Sequence, residues 1–275
     1  MSNCTREALN LVFHIESDWE DETQLGKTML RKATRTRGVD DVQVLRLIIK
    51  TMRQFGMEMM FTQYRPETIQ ISADKYLEQI ERQGKSFLPV ESGGLEFSFA
   101  KDPASRQAFL TIKDKKANSA ILWDDWLAPF LDIGGFVQAW LTDVEYDYWQ
   151  NAKDQLQYKS ANRSYAHLPM KTNGLPPPLN RLEIDISDNP GRSIIRTGYR
   201  EAVGSKMWLS SLFWHLVGTV PKEKLLSAEG FVVQQVSSEI IKVITAESCF
   251  CDKSTERIQR KLRSILYNEP EMLQR

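Results

Sequence analysis

The chain has 275 residues, of which 41% are hydrophobic and 26% are charged. This balance is typical of a globular protein that can bury a sizeable core in one large domain or two small ones, and it excludes an intrinsically disordered chain. The 36 basic residues are matched by 36 acidic ones, so the net charge gives no support to nucleic-acid binding, which usually needs a basic excess.

The sequence also carries signals for cellular location. Residues 1–7 lack the basic start and apolar core of a secretory signal, and no run of about 18 apolar residues is present to span a bilayer. The three cysteines, Cys4, Cys249 and Cys251, are an odd number, which fits a reducing compartment better than a disulfide framework. We therefore expect a soluble, cytoplasmic protein that does not contact membranes and whose cysteines are structural.

The first elements follow from apolar spacing and charge. Residues 10–17 are predicted to form a strand. Acidic residues at 16–22 and basic residues up to position 37 suit the dipole of a helix over residues 23–36. A second helix begins at Asp40 and Asp41 and has apolar residues at spacings of three and four up to position 52. Ser72 is predicted to cap a third helix over residues 73–83.

The pattern changes to a period of two after residue 94, with Leu95, Phe97 and Phe99 on one face. Residues 108–112 and 120–123 continue it as two further strands. The three strands together predict an antiparallel meander. Residues 136–141 are predicted to be extended and residues 146–156 to be helical.

A Pro-rich segment at residues 175–180 is the candidate domain boundary, because its stiff backbone cannot join a central sheet. It divides the chain into an N-terminal α+β region, residues 1–170, and a C-terminal α+β region, residues 181–275, or joins them in one continuous domain. Residues 182–186 and 193–195 predict a hairpin around a turn at residues 189–191. Strands are predicted at 203–209, 231–236 and 240–244, and helices at 222–227 and 254–267. The predicted fold class is α+β, with antiparallel strands in mixed sheets packed with several helices.

Catalytic motifs are mostly missing. The histidines lie in no nucleophile or zinc motif; they are His14, His167 and His215. Glu183 and Asp185 share one face of a predicted strand, but the lysine that a restriction-type nuclease motif requires does not follow them. These two carboxylates are either the solvated face of an edge hairpin or part of a metal-dependent hydrolase or nuclease. We predict no catalytic residue, no metal and no cofactor.

One segment of the second half carries a recognisable pattern. Residues 189–191 read Asn-Pro-Gly, residues 198–208 follow the pattern Gly-x-x-x-Ala-Val-Gly-x-x-Met-Trp, and Phe213-Trp214 comes after it. This segment resembles the immunity proteins of bacterial polymorphic and type VI secretion toxins, in particular the family that accompanies restriction-endonuclease-like toxins. Residues 24–27 show a weaker similarity.

The resemblance implies a cytoplasmic immunity protein without chemistry of its own. Such a protein binds a cognate type VI secretion effector toxin, here a nuclease, and blocks its active cleft or its assembly; the partner is a protein and not nucleic acid. The pattern itself is structural, since Gly191, Gly198 and Gly204 suit turns or close approaches and Trp208 suits packing. It therefore assigns no contact residue, and the oligomeric state is left open.

Two acidic clusters with aromatic neighbours are the candidate partner-binding residues. The first comprises Asp18, Trp19, Glu20, Asp21 and Glu22, and the second comprises Asp143, Glu145, Tyr146 and Asp147, followed by Tyr148. Local carboxylates would attract the basic or metal-bearing cleft of a nuclease, and an exposed aromatic ring among them suits a binding hot spot. The alternative is that both clusters are helix starts and solvated faces. A third class of function is a scaffold that docks a partner through the Pro-rich segment or the C-terminal helix.

Overall fold

Strands and helices are interspersed along the chain. The computed structural model describes residues 6–25, 28–64, 67–84, 89–117 and 121–269, and it leaves out the side chains of residues 21–31. The strands are β1 (Glu7–His14), β2 (Glu16–Leu25), β3 (Thr28–Arg37), β4 (Met60–Gln63), β5 (Ile69–Ser72), β6 (Val90–Ser92), β7 (Leu95–Asp102), β8 (Gln107–Asp114), β9 (Phe136–Asp143), β10 (Met170–Thr172), β11 (Leu182–Ile184), β12 (Ile194–Arg196), β13 (Tyr199–Glu201), β14 (Lys206–Ser210), β15 (Val232–Gln235) and β16 (Ile240–Ile244). The helices are α1 (Asp41–Gln54), α2 (Ala73–Gln83), α3 (Trp123–Leu131), α4 (Val144–Asn151), α5 (Gln155–Ser160), α6 (Ser211–Val217), α7 (Thr219–Ser227) and α8 (Glu256–Tyr267).

Ten of the described strands form one sheet, in the order β15-β16-β14-β9-β1-β8-β7-β6-β4-β5. Its neighbouring strands pair antiparallel, and β1 lies in the interior between β8 and β9. Strands β14, β15 and β16 come from beyond the Pro-rich segment, so the two regions predicted from the sequence share this sheet. The predicted α+β class, with antiparallel strands packed with several helices, is confirmed.

The sheet separates two hydrophobic clusters because strand side chains alternate between its faces. From β1, Leu9 and Leu11 point into a cluster that includes α1, α2 and α3, whereas Val12 joins a cluster that includes α6, α7 and α8. All three side chains are fully buried, and each such burial is worth ~1.5–3 kcal/mol. The alternation in β1 therefore fixes which helices cover which face.

Capping residues place the helices where the sequence predicts them. The Asp40 carboxylate accepts a hydrogen bond from the Gln43 backbone at the start of α1, at 2.6 Å. The Ser72 hydroxyl caps α2, which ends at Gly84 in the left-handed conformation, with φ of 59°. These caps satisfy backbone groups that a helix end leaves without intrahelical partners. Both predicted helices are confirmed.

The predicted helix over residues 23–36 is wrong, because this segment forms the hairpin of β2 and β3. The acidic and basic runs that suit a helix dipole instead lie opposite each other across two strands. Glu16 is in register with Arg37, and opposite charges at facing strand positions stabilise a pair of strands. Charge order alone did not distinguish the two arrangements.

Two predicted strand pairings are also wrong. Trp123 begins α3, and β8 is flanked by β7 and β1 rather than by a strand at residues 120–123, of which position 120 lies outside the described residues. The predicted hairpin over residues 182–195 divides: β11 pairs with β10, and β12 pairs with β13. The Pro-rich segment is consequently the loop between β10 and β11. Apolar patterns along the chain located strands such as β7, β8 and β9 but could not identify partners that are distant in sequence.

The helices and the cysteines bear on the predicted cellular location. No helix in the described ranges is long and apolar enough to cross a membrane. Cys249 is buried, and its sulfur accepts a hydrogen bond from the Ser205 hydroxyl at 3.7 Å. Cys251, however, is disulfide-bonded, so the number of cysteines no longer argues for a reducing compartment. The cytoplasmic location stays a prediction.

Candidate functional site

A cleft of about 700 Å³ opens on the face of the sheet where β8, β1 and β9 lie side by side. Helix α4 and residues from the segment 193–200 form its walls. We call this space the central cleft. Its lining combines polar, cationic and aromatic side chains, which is the mixture found in ligand and partner sites.

The floor of the central cleft is polar. Asn10 of β1 is only 7% exposed, and it lies between Thr111 of β8 and Trp140 of β9 in register. Its amide donates to the Thr142 hydroxyl at 3.1 Å and its carbonyl accepts from the Thr111 hydroxyl at 3.3 Å. Because these buried groups satisfy one another, the floor is stable and holds its side chains in place.

Arg200 and Phe109 form one side of the cleft. The Arg200 guanidinium lies over the Phe109 ring, 3.8 Å from its centroid, and the ring contacts Trp140 at 6.0 Å between centroids. The Arg200 Nε atom donates to the buried Gln107 side chain at 3.3 Å. Burial lowers the pKa of Arg200, while the charges of Asp102 and Asp147 oppose that shift. The side chain stays cationic because arginine does not lose its proton in proteins.

Two buried glutamines hold the segment that carries Arg200. The Gln138 side chain accepts from the Arg200 backbone N–H at 3.1 Å and donates to the Arg200 carbonyl at 3.0 Å. The Gln107 side chain donates to the Tyr199 carbonyl at 2.7 Å and also to the Arg196 carbonyl. The segment therefore has a fixed position against the sheet.

Helix α4 brings the second acidic cluster to the cleft, but its members have different surroundings. Asp143 is buried and caps α4, accepting from the backbone of Glu145 at 3.1 Å and of Tyr146 at 2.8 Å. The exposed Glu145 pairs with Arg163 at 2.8 Å. Tyr146 is half-buried and accepts a hydrogen bond from Gln259 at 2.9 Å. Of these three predicted residues, only Glu145 lines the central cleft.

Asp147, another of the predicted partner-binding residues, lines the central cleft and has a raised pKa. Burial raises its pKa from 3.8 to about 6, although the charges of Arg200 and Lys113 act in the opposite direction. The nearby Asp143 carboxylate raises it further, and the Asn151 amide donates to the Asp147 carboxylate at 3.2 Å. Asp147 is thus a carboxylate that would gain from a cation or from a proton.

The segment with the immunity-like pattern packs closely against α4 and β9. A Cβ atom at Gly191 would lie 2.7 Å from Gln150 and 3.0 Å from Tyr146. One at Gly204 would overlap the backbone carbonyl of Leu141, and Gly198 has a φ of 84°. The predicted close approaches and turns are confirmed.

The same segment supplies part of the cleft wall. Ser193, Ile195 and Arg200 line the cleft. Trp208, which follows in β14, is 1% exposed and packs in the core, as predicted. The pattern therefore has a structural role, and it carries cleft residues between its fixed positions.

The first acidic cluster lies on the β2–β3 hairpin, away from the lining of the cleft. Trp19 is 40% exposed. Asp18 pairs with Arg37 at 2.9 Å, and Glu20 is in register with Lys32. The side chains of Asp21 and Glu22 lie outside the described residues. The described carboxylates thus have basic strand neighbours, and the interpretation of this cluster as the start of a helix is wrong.

The carboxylates considered for metal-dependent hydrolysis are on and just after β11. Asp185 pairs with Lys171 at 2.8 Å; this hydrogen bond, with that from Ser187, lowers the pKa of Asp185 to about 2. Glu183 is half-buried on β11. Within the described ranges, no three His, Cys, Asp or Glu side chains are grouped so that they could hold a metal ion. Nothing in this geometry supports the hydrolase alternative.

Comparison with known proteins gives one distant likeness. No family model matches the sequence, and no curated protein matches it. Among solved structures, a Pseudomonas aeruginosa T6SS protein, PA0821, is similar with a TM-score of 0.45 and 10% sequence identity. The alignment covers 94% of this chain and 72% of the PA0821 chain. A likeness this distant carries no inference about the function of this chain.

Sequence reasoning missed the sheet face of the cleft. Asn10 interrupts the apolar run of β1, and a polar residue between two buried leucines was a usable signal. Phe109 and Trp140 were assigned to strands, but nothing in the sequence showed that β8 and β9 flank β1. Arg200 lies within the immunity-like pattern at a position that the pattern leaves variable. These residues converge only through long-range strand pairing.

Proposed function

We propose that this protein is an immunity protein that binds a cognate type VI secretion effector toxin, a nuclease, and neutralises it by protein–protein contact. It acts in the cytoplasm, without catalysis and without binding nucleic acid. The proposal starts from the resemblance of residues 189–214 to such immunity proteins. The narrower resemblance of this segment to TsiT, the antidote of the toxin TseT, stays a prediction without support from the comparisons.

The lining of the central cleft is the observation that supports the proposal. The immunity-like segment and the acidic, aromatic helix α4 both line one open cleft. Interfaces that bind proteins commonly combine exposed aromatic rings with a polar rim. A toxin element that enters the central cleft would meet both features.

Tyr148 is the best contact residue on this surface. It is 44% exposed, and its ring packs edge-on against Trp149 with centroids 4.9 Å apart. Trp149 is itself held between Tyr158, at 4.9 Å, and the Arg163 guanidinium, at 4.0 Å. A ring supported in this way loses little conformational entropy when it binds.

The β2–β3 hairpin offers a second contact through Trp19. Its two strands form a separate two-stranded sheet, and the described side chains of β2 are exposed or half-buried. An aromatic ring on such a hairpin can enter a concave partner surface. The hairpin and the rim of the cleft are the two surfaces to test.

The experiment is coexpression with the product of the neighbouring gene, which the proposal expects to encode the toxin. We expect rescue of growth and a copurifying complex of fixed stoichiometry. Tyr148→Ala and Trp19→Ala should each weaken the complex by ~10-fold or more, as truncation of a hot-spot residue does. Tyr64→Ala is the matched control, because Tyr64 is 52% exposed and lies beyond β4 near the far edge of the sheet.

Three results would count against the proposal. Growth rescue without a complex would indicate a different mechanism. Turnover of a substrate by the purified protein would contradict a role by contact alone. Equal binding by Tyr148→Ala, Trp19→Ala and Tyr64→Ala would show that both proposed surfaces are wrong.

A further inference from the structure

Arg200 differs from the other half-buried or buried arginines near it. Arg192 and Arg263 both pair with Glu269, at 2.7 Å in each case. Within the described part of the chain, Arg200 makes a side-chain hydrogen bond only through Nε, and no carboxylate is paired with its guanidinium. Its two terminal nitrogens therefore have donors available at the wall of the central cleft.

The available donors are held in place before any ligand arrives. The Arg200 backbone is fixed by Gln138 through two hydrogen bonds, and the guanidinium is stacked on Phe109 at 3.8 Å. A planar guanidinium fixed in this way presents paired N–H groups that match the two oxygens of a carboxylate. The desolvation that lowers the pKa of Arg200 would be offset by such an anion.

A second donor points to the same ligand chemistry. The Ser193 hydroxyl is buried at the cleft wall and has no hydrogen-bond partner among the described residues. A buried hydroxyl without a partner is costly, so a ligand oxygen that accepts its hydrogen bond would be favoured. Ser193 and Arg200 come from the same segment, on either side of β12.

The rest of the cleft is too large and too aromatic for a carboxylate alone. Its volume of about 700 Å³ falls in the range of sites for small organic ligands. Phe109, Trp140, Tyr148 and Trp149 line it. Aromatic walls of this kind favour a flat, apolar ligand body.

We propose that the central cleft binds a small aromatic carboxylate. Arg200 donates hydrogen bonds to the carboxylate, and the aromatic side chains of the cleft pack against the ring. The ligand would occupy the same cleft as the toxin element of the proposed function, but its binding does not depend on that function. Asp147 lines the same cleft, and its charge repels the ligand. Removing that charge should therefore strengthen binding, while removing the charge of Arg200 should weaken it.

The test is a titration of the full chain with benzoate at neutral pH, followed by NMR of the tryptophan indole N–H groups. We expect binding with a dissociation constant on the order of 1 mM. The signals of Trp140 and Trp149, which line the cleft, should shift, and that of Trp126, which is buried in the cluster on the other face, should not. Benzamide, which has the same shape without the charge, should bind at least ~10-fold more weakly.

Variants with opposite expected effects make the test decisive. Arg200→Gln should weaken benzoate binding by ~10-fold or more, because it removes a charge-assisted pair. Arg200→Lys keeps the charge but loses the planar fork, so it should weaken binding by ~3-fold or more. Asp147→Asn should tighten binding by a few-fold. Arg46→Gln is the charge-matched control, since Arg46 is exposed on α1.

Four results of these titrations would overturn the proposal. The proposal is overturned if wild-type protein shows no shift of Trp140 or Trp149, or if benzamide binds as well as benzoate. It is also overturned if Arg200→Gln binds like Arg46→Gln, or if Asp147→Asn binds more weakly than wild type. Should Arg200→Gln fail to fold by circular dichroism, Arg200→Lys and Asp147→Asn decide the matter.

Discussion

Asp147 gives a prediction that connects the cleft to the stability of the fold. Its pKa rises from 3.8 to about 6 because the carboxylate is buried. At ~1.36 kcal/mol per pKa unit, this rise corresponds to a penalty of at most ~3 kcal/mol for keeping the group charged in the folded protein. Water entering the open cleft reduces the penalty, so we expect ~1–3 kcal/mol.

The sign of the effect follows from proton linkage. The folded state binds the Asp147 proton more tightly than the unfolded state does, so wild-type stability is lost as pH rises from ~4 to ~6. Asp147→Asn mimics the protonated group and retains an acceptor for the Asn151 amide. The variant should therefore be more stable than wild type by ~1–3 kcal/mol above pH ~6.5, and the difference should vanish below pH ~3.

Urea denaturation at several pH values measures this difference through the free energy of unfolding. Glu145→Gln is the control, because Glu145 is exposed and paired with Arg163 on the surface, where an ion pair contributes only ~0–1 kcal/mol. An Asp147→Asn variant that is less stable than wild type at neutral pH would refute the reasoning. A stability difference that does not change with pH would refute it equally.

Two further predictions concern the immunity-like pattern and the β10–β11 hairpin. Gly204→Ala should lower the free energy of unfolding by ~1–3 kcal/mol or more, because the new methyl overlaps backbone. Gly134→Ala, with open space around the Cβ position, should be neutral or stabilising; equal losses in the two would show that the overlap is not the cause. Lys171→Met should raise the pKa of Asp185 from about 2 toward 3.8, measured by carboxyl NMR, and an unchanged pKa would show that the ion pair does not set it.

Local signals were sufficient for individual helices and strands. The caps Asp40 and Ser72 fixed the starts of α1 and α2, since each supplies an acceptor for backbone groups within a few residues. The alternation of Leu95, Phe97 and Phe99 fixed β7. Such signals depend on neighbours along the chain, which the sequence displays directly.

Long-range pairing was the part that local signals could not supply. The acidic and basic runs of residues 16–37 suit a helix dipole and a two-stranded pair equally well. Strand β1 pairs with β9, although more than 120 positions separate Leu9 from its partner Leu141. The central cleft depends on this pairing. The sequence therefore could not show that the polar floor and Arg200 lie in the same cleft. The segment resemblance marked one wall of the cleft without revealing the cleft itself.

The β2–β3 hairpin has a consequence for how a partner would be found. Its strands carry opposite signs, with Glu16, Asp18 and Glu20 of β2 in register with basic residues of β3. Beyond a screening distance of ~8 Å the two signs largely cancel, so the hairpin exerts little pull on a distant molecule. The association rate constant for a partner that binds through this hairpin would therefore be that of unsteered diffusion, and it would change little with salt concentration. Selectivity would arise only after Trp19 contacts the partner surface.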